Sequence, residues 1–90
     1  MANQEPWMNE NTYFENSLTD SVCRRAFAAR LDMTLKRSRM TSKRVAQRLG
    51  VPEHDVTLWR AGVTVPGGTQ CRSLSELLRV DVAWLCVGQA

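Results

Sequence analysis

Residues 40–62 read MTSKRVAQRLGVPEHDVTLWRAG and contain the strongest local structural signals of this chain. Thr41 or Ser42 can cap a short helix over residues 43–49, because a side-chain oxygen there accepts a hydrogen bond from a free N–H group of the first turn. Gly50 follows where a helix reverses through the left-handed conformation, which glycine adopts without a steric penalty. The expected buried residues of this helix are Val45, Ala46 and Leu49.

The second half of the stretch predicts another short helix, over residues 53–61. Pro52 cannot continue the preceding helix, but its fixed φ suits the first turn of the next one. Glu53 and Asp55 stand in that first turn, where carboxylates favour the positive end of the helix dipole. Gly62 ends the helix, so the stretch as a whole predicts two short helices joined by a tight turn.

A longer helix precedes this pair. It is expected to begin at Asp20 or Ser21, either of which can cap it, and to run to about Arg37 or Ser38. Apolar residues recur in it at spacings of three and four, which predicts one buried stripe. The stripe comprises Val22, Ala26, Phe27, Leu31 and Leu35.

Two more helical segments are expected after a loop over residues 63–68. One covers about residues 69–78, and Asp81 caps a last one or two turns over residues 82–87. The residues expected to face inward from the first of them are Cys71, Leu74, Leu77 and Leu78. Since no strand pattern occurs in the sequence, the prediction is a compact all-α fold of five helices.

Charge divides the chain unevenly. Residues 1–20 hold four acidic and no basic residues, a net −4, whereas residues 21–90 hold 12 Lys and Arg against five acidic residues, a net +7. We therefore expect a flexible acidic N-terminal arm over residues 1–19 and one domain over residues 20–90. The arm has three aromatic residues that can attach it to the domain or to a partner, Trp7, Tyr13 and Phe14. A basic domain suits a polyanion, because basic side chains release counterions from phosphates.

Several classes of function lack support. Cys23, Cys71 and Cys86 are widely spaced and the single histidine, His54, is far from them in sequence, so no metal and no cofactor are expected. The cysteines are expected to be reduced and partly buried. No acids are paired for acid–base work and no glycine loop cradles a phosphate, so an enzyme is not expected. No apolar run approaches the roughly 20 residues that span a bilayer, and no secretion signal is present, which favours a cytoplasmic protein.

Residues 40–62 are similar to a known motif. Residues 40–51 resemble the first helix and turn of the lambda-repressor-like (Xre/Cro) helix-turn-helix family. Val56, Trp59 and Gly62 stand where that family places an apolar core residue, a tryptophan and a closing glycine in its recognition helix. Pro66 matches the family's frequent loop proline.

The end of the chain, residues 80–85 with Gly88 after them, resembles the family's fifth helix, so the resemblance extends over residues 27–88. It implies a five-helix DNA-binding domain that reads the major groove of double-stranded DNA with helix 53–61. It also implies a homodimer, because the family usually reads two half-sites and its fifth helix often contributes to dimerisation.

The docking geometry of the family implies roles for individual residues. Base edges would meet the outward-facing residues of the recognition helix, which are Glu53, His54, Thr57 and Leu58. Phosphates would meet the start of the preceding helix and neighbouring arginines, which are Thr41, Ser42, Lys43, Arg44, Arg39 and Arg60. The dimer interface would involve Val82, Trp84, Leu85 and Val87.

The recognition helix departs from the family pattern, because Glu53 and Asp55 are acidic and no Lys or Arg precedes Arg60. Asp55 has a simpler role in stabilising the first turn, whereas Glu53 either does the same or accepts a hydrogen bond from cytosine. Leu58 either lies against a thymine methyl group or marks a protein contact. His54 is either a surface residue or a DNA contact.

Two functions of different classes follow. The first is a small sequence-specific transcriptional regulator, a dimeric repressor of phage, plasmid or antitoxin type, regulated through its concentration. The second is a protein-interaction module, an anti-repressor or adaptor, that keeps the fold and binds protein through the acidic, leucine-bearing helix 53–61. Charge reversal of Lys43 and Arg44 separates them, since it should abolish DNA binding and leave protein binding intact.

Overall fold

The computed structural model of the chain describes residues 21–88. Within that range five helices follow one another and no strand occurs. The helices are α1 (Ser21–Ser38), α2 (Ser42–Leu49), α3 (Glu53–Ala61), α4 (Gly68–Leu78) and a π-helical segment, α5 (Ala83–Val87). The predicted all-α fold is confirmed for this range, whereas the predicted acidic arm, residues 1–19, lies outside the described residues.

Helix α1 contributes more buried residues than any other helix of the described range. They are Phe27, Ala28, Leu31, Thr34 and Leu35. Val22 and Ala26 were expected in the same stripe but are exposed, so that prediction is wrong. The reason is helical phase: Leu31 follows Val22 by nine residues, about two and a half turns, so the two side chains point to opposite sides of α1.

Helix α2 begins and ends where its sequence signals predict. Thr41 caps it, because its Oγ1 accepts a hydrogen bond from the N–H of Arg44 at 3.1 Å. Gly50 ends it in the left-handed conformation, with φ +72°, and the Gly50 N–H donates to the carbonyl of Ala46 at 2.9 Å. Val45 and Ala46 are buried as expected, and Leu49 is half-buried against the core.

Helix α3 also has its predicted bounds. Pro52 lies just before it in extended backbone, with ψ 142°, and not in its first turn. Gly62 ends α3 with φ +78°. Val56 and Trp59 anchor α3 in the core, with 0% and 3% of their surface exposed. The short connection between Leu49 and Glu53 keeps α2 and α3 packed against each other, and both pack on the core built around α1.

The C-terminal part of the described range closes the core. Helix α4 begins at Gly68, one residue before the predicted start. Three of its four expected inward residues are buried, and the fourth, Leu77, is half-buried. Asp81 caps α5 as expected, its Oδ1 accepting from the N–H of Ala83 at 2.8 Å. Cys71 and Cys86 are buried and Cys23 is exposed, and no disulfide joins any of them within residues 21–88. No helix of residues 21–88 is long and apolar enough to cross a membrane.

Candidate nucleic-acid interface

The start of α2 carries exposed cations beside α3. Thr41, Lys43 and Arg44 are exposed, and Ser42 is half-buried. The first N–H groups of an α-helix have no partner within the helix, and the helix dipole makes this end positive. The side-chain charges, the hydroxyl groups and the N–H groups of Ser42 and Lys43 therefore all favour an anion at the same end of α2.

Arg39 leads into this end from α1. It is exposed and adopts φ +57°, in the left-handed region that glycine usually occupies. Its N–H donates to the carbonyl of Lys36 at 3.2 Å, and the next N–H, of Met40, donates to that of Leu35 at 3.0 Å. This backbone arrangement ends α1 and turns the chain into the cap of α2, so Arg39 projects from the junction of the two helices.

The outer side of α3 carries the residues expected to read bases. Glu53, His54 and Thr57 are exposed, whereas Leu58 is half-buried and so less open than expected. The hydroxyl of Thr57 donates to the backbone carbonyl of Glu53 at 3.2 Å, which leaves its oxygen as an outward acceptor. Asp55 is half-buried in the first turn of α3, in agreement with its simpler role at the positive end of the helix dipole.

Arg60 is turned towards the protein. It forms an ion pair with Asp32 of α1, and its Nη1 donates to the Oγ of Ser42 at 3.1 Å. Only 28% of the Arg60 side chain is exposed. The other oxygen of Asp32 lies 2.9 Å from the Nζ of Lys36. Arg60 therefore fixes the start of α2 against α3, a structural role that differs from the phosphate contact expected from the sequence.

The electrostatics of Asp32 follow from these contacts. Hydrogen bonds from Arg60 and then from Lys36 hold the pKa of the Asp32 carboxyl below its ordinary value. The sequence offered one signal for this role. Asp32 is the only acidic residue of an otherwise basic α1.

The residues expected at a dimer interface divide into two groups. Leu85 has 0% of its surface exposed and belongs to the core, so its assignment to the interface is wrong. Arg30 holds this part of α5 on α1, because its Nε donates to the Leu85 carbonyl at 2.9 Å, and burial lowers the pKa of Arg30. The three remaining residues, Val82, Trp84 and Val87, are half-buried and pack against the core with part of their surface open.

Comparison of this chain with protein-family models, with curated proteins and with solved structures gives no match. In the part of the chain that the structure describes, no group of three or more His, Cys, Asp or Glu side chains is placed to hold a metal ion.

Proposed function

We propose that this protein is a sequence-specific DNA-binding regulator, and that α2, its turn and α3 form a helix-turn-helix of the lambda-repressor-like class. The main observation in favour of this proposal is that α3 is buried on one side and exposed on the other. It is anchored on its inner side by Val56 and Trp59, and open on its outer side at Glu53, His54 and Thr57. A helix held in this way can enter a major groove, about 12 Å wide, without disturbing the core.

The start of α2 supplies the phosphate contacts in this proposal. Lys43 and Arg44 are exposed cations beside the backbone N–H groups of Ser42 and Lys43, which precede the capped N–H of Arg44, and this combination binds phosphate through charge and through directed hydrogen bonds. Ser42 accepts from Arg60, so its own hydroxyl hydrogen remains available to a phosphate oxygen. Arg39 adds a third exposed cation just before the cap. These contacts position α3 without selecting a sequence.

The bases that α3 prefers follow from its outward groups. The carboxylate of Glu53 accepts hydrogen bonds only, and Thr57 presents an acceptor because its hydrogen is used within the helix. Two acceptors favour the exocyclic amino groups of cytosine and adenine in the major groove. The same amino groups offset the repulsion between Glu53 and the phosphates. His54 can donate or accept, and the open part of Leu58 suits a thymine methyl group.

A homodimer places two copies of α3 in successive major grooves, about 10–10.5 base pairs apart. The partly open apolar residues of the C-terminal segment, Val82, Trp84 and Val87, support a contact between copies there. Repression then follows from occupancy of a promoter by the dimer.

Selection from a pool of random double-stranded DNA by the full chain tests the proposal. We expect one sequence class to be enriched, containing cytosine or adenine at the positions facing α3, and bound at least about 100-fold more tightly than random duplex. The variant Lys43→Glu with Arg44→Glu should lose this binding. The control Arg72→Glu with Arg79→Glu makes the same charge change at exposed positions that the proposal leaves out of the interface, and should lose less than about tenfold.

Two outcomes would overturn the proposal. If no sequence class is enriched, the alternative hypothesis, a protein-interaction module with the same fold, replaces DNA-sequence recognition. If both charge-reversed variants lose affinity equally, the binding reflects net charge and not a docked helix.

A further inference from the structure

An open groove of about 300 Å³ lies where α4 ends and the chain turns towards α5. Its volume is at the lower end of the range for small-molecule sites, so it suits a small ligand. Charged residues of both signs line it together with apolar residues. The lining residues, which define what we call the α4–α5 groove, are Arg72, Ser75, Glu76, Arg79, Val80 and Val82.

Backbone hydrogen bonds fix the shape of the α4–α5 groove. Arg79 ends α4 in the left-handed conformation, with φ +59°, and its N–H donates to the carbonyl of Glu76 at 3.3 Å. The next N–H, of Val80, donates to the carbonyl of Ser75 at 3.0 Å. These two bonds turn the chain back on the last turn of α4, so the groove is built by the backbone and not by long side chains alone.

The groove combines apolar surface with one buried hydroxyl group. Val80 and Val82 are half-buried and pack against the core, so part of each side chain remains open to a ligand. Ser75 is only 3% exposed, and its Oγ has no hydrogen-bond partner within residues 21–88. A buried hydroxyl without a partner is unfavourable, so a ligand with a polar group is favoured over a wholly apolar one.

Charge narrows the class of ligand further. Glu76 and Arg79 are exposed, and their side chains form no hydrogen bond or ion pair within residues 21–88. Glu76 and the negative end of the α4 dipole favour a cation, whereas Arg79 favours an anion and Arg72 adds positive charge. A ligand of one sign would meet a like charge, whereas a zwitterion can pair with both.

We infer that the α4–α5 groove binds a free α-amino acid with an apolar side chain, an inference that does not depend on DNA binding. The carboxylate pairs with Arg79, the ammonium group pairs with Glu76, and the apolar side chain lies on Val80 and Val82. Both charged groups of an α-amino acid are attached to one carbon, so they can reach side chains that are three positions apart on the same groove. Hydrogen bonds between ionised groups are among the stronger ones.

Titration of the full chain with L-leucine and with L-phenylalanine, followed by amide NMR, tests this inference. We expect saturable shift changes on residues 75–82. Three matched compounds each lack one feature of leucine: 4-methylpentanoate lacks the ammonium group, 3-methylbutylamine lacks the carboxylate, and glycine lacks the apolar side chain. Each should bind at least about tenfold more weakly than leucine, the scale of one lost charged hydrogen bond or one exposed apolar side chain.

Two single-charge variants assign the pairing. Glu76→Gln should weaken the binding of leucine and leave that of 4-methylpentanoate undiminished, because only leucine carries the ammonium group. Arg79→Gln should weaken the binding of both, because both carry the carboxylate. Arg48→Gln removes a positive charge at an exposed position of α2 outside the groove and should change neither affinity. The amide spectra show whether each variant keeps its fold.

Four results would overturn the inference. The first is the absence of saturable changes with either amino acid up to about 10 mM, which excludes all but very weak binding. The second is equal affinity for leucine and 4-methylpentanoate, which would make the ligand a simple carboxylate. The third is unchanged leucine affinity in Glu76→Gln. The fourth is an equal loss in Arg48→Gln and Arg79→Gln, which would reflect net charge and not a defined site.

Discussion

Arg60 of α3 forms an ion pair with Asp32 of α1, while its other terminal nitrogen donates to Ser42 at the start of α2. One side chain thus joins the three helices whose relative orientation defines the candidate DNA interface. Ser42 lies beside the exposed cations of α2, so the same contact links the core to the phosphate-binding end.

Replacement of Asp32 should destabilise the fold in a pH-dependent way. Since the pKa of Asp32 is lowered in the folded state, its stabilising effect is complete above the unfolded pKa, about 3.9, and is lost as the pH falls through the folded value. We expect Asp32→Asn to lower the free energy of unfolding by up to about 1 kcal/mol at neutral pH, the scale of a partly exposed ion pair. Urea unfolding at several pH values checks this. A loss that stays constant into strong acid would contradict it.

Arg60 and Lys43 should affect DNA binding differently. Lys43→Ala removes a phosphate contact, so the slope of log K against log salt should fall by about 0.9. Arg60→Gln should leave that slope unchanged and lower the thermal stability, because the guanidinium is used inside the protein. Fluorescence anisotropy across a salt series, paired with thermal unfolding, measures both. If the slope falls equally for the two variants, Arg60 contacts a phosphate as Lys43 does.

The two arginines with positive φ provide a matched pair. Arg39 and Arg79 have φ +57° and +59°, where a non-glycine residue incurs about 1–2 kcal/mol of steric cost. Each change to Gly should stabilise the fold by about 0.5–1 kcal/mol after the entropy of the unfolded chain is included. Only Arg39→Gly should also weaken DNA binding. If Arg39→Gly leaves affinity and salt dependence unchanged, Arg39 does not contact phosphate.

The two glycines that end α2 and α3 should differ in their tolerance of a methyl group. Both have positive φ, so an alanine costs about 1–2 kcal/mol at either position. A Cβ at Gly50 meets nothing within 4 Å, whereas one at Gly62 lies 3.2 Å from Cγ of Arg25 and 3.5 Å from its Cα. We expect Gly62→Ala to cost roughly 1 kcal/mol more in urea unfolding, since crowding adds to the backbone strain. Equal losses of stability in Gly50→Ala and Gly62→Ala would show that the Arg25 side chain moves away from the added methyl group at no cost.

Local signals made the ends of α2 and α3 predictable. The Thr41 cap and the glycines at positions 50 and 62 act within one turn of the residues they control, so sequence alone is sufficient. The phase of α1 was harder to predict, because apolar residues line both of its sides and spacing does not say which side faces the core.

The pairing of Asp32 with Arg60 depends on how α1 crosses α3, and the two residues are 28 positions apart. Similarly, a run of apolar residues at the end of the chain does not distinguish a core residue such as Leu85 from an interface residue such as Trp84. Only the packing of α5 on α1 does so. The location of the candidate site was therefore predictable from the sequence. The contacts between helices that hold it in place were not.

In the proposed function, docking of the protein on double-stranded DNA uses the outer side of α3 and the start of α2. Titration of the full chain with the selected duplex, followed by amide NMR, tests it most directly. We expect the largest chemical-shift changes on residues 41–44 and 53–57, with small changes along α4. Changes concentrated on α4 or on the outward side of α1, with residues 41–44 and 53–57 unaffected, would rule this docking out.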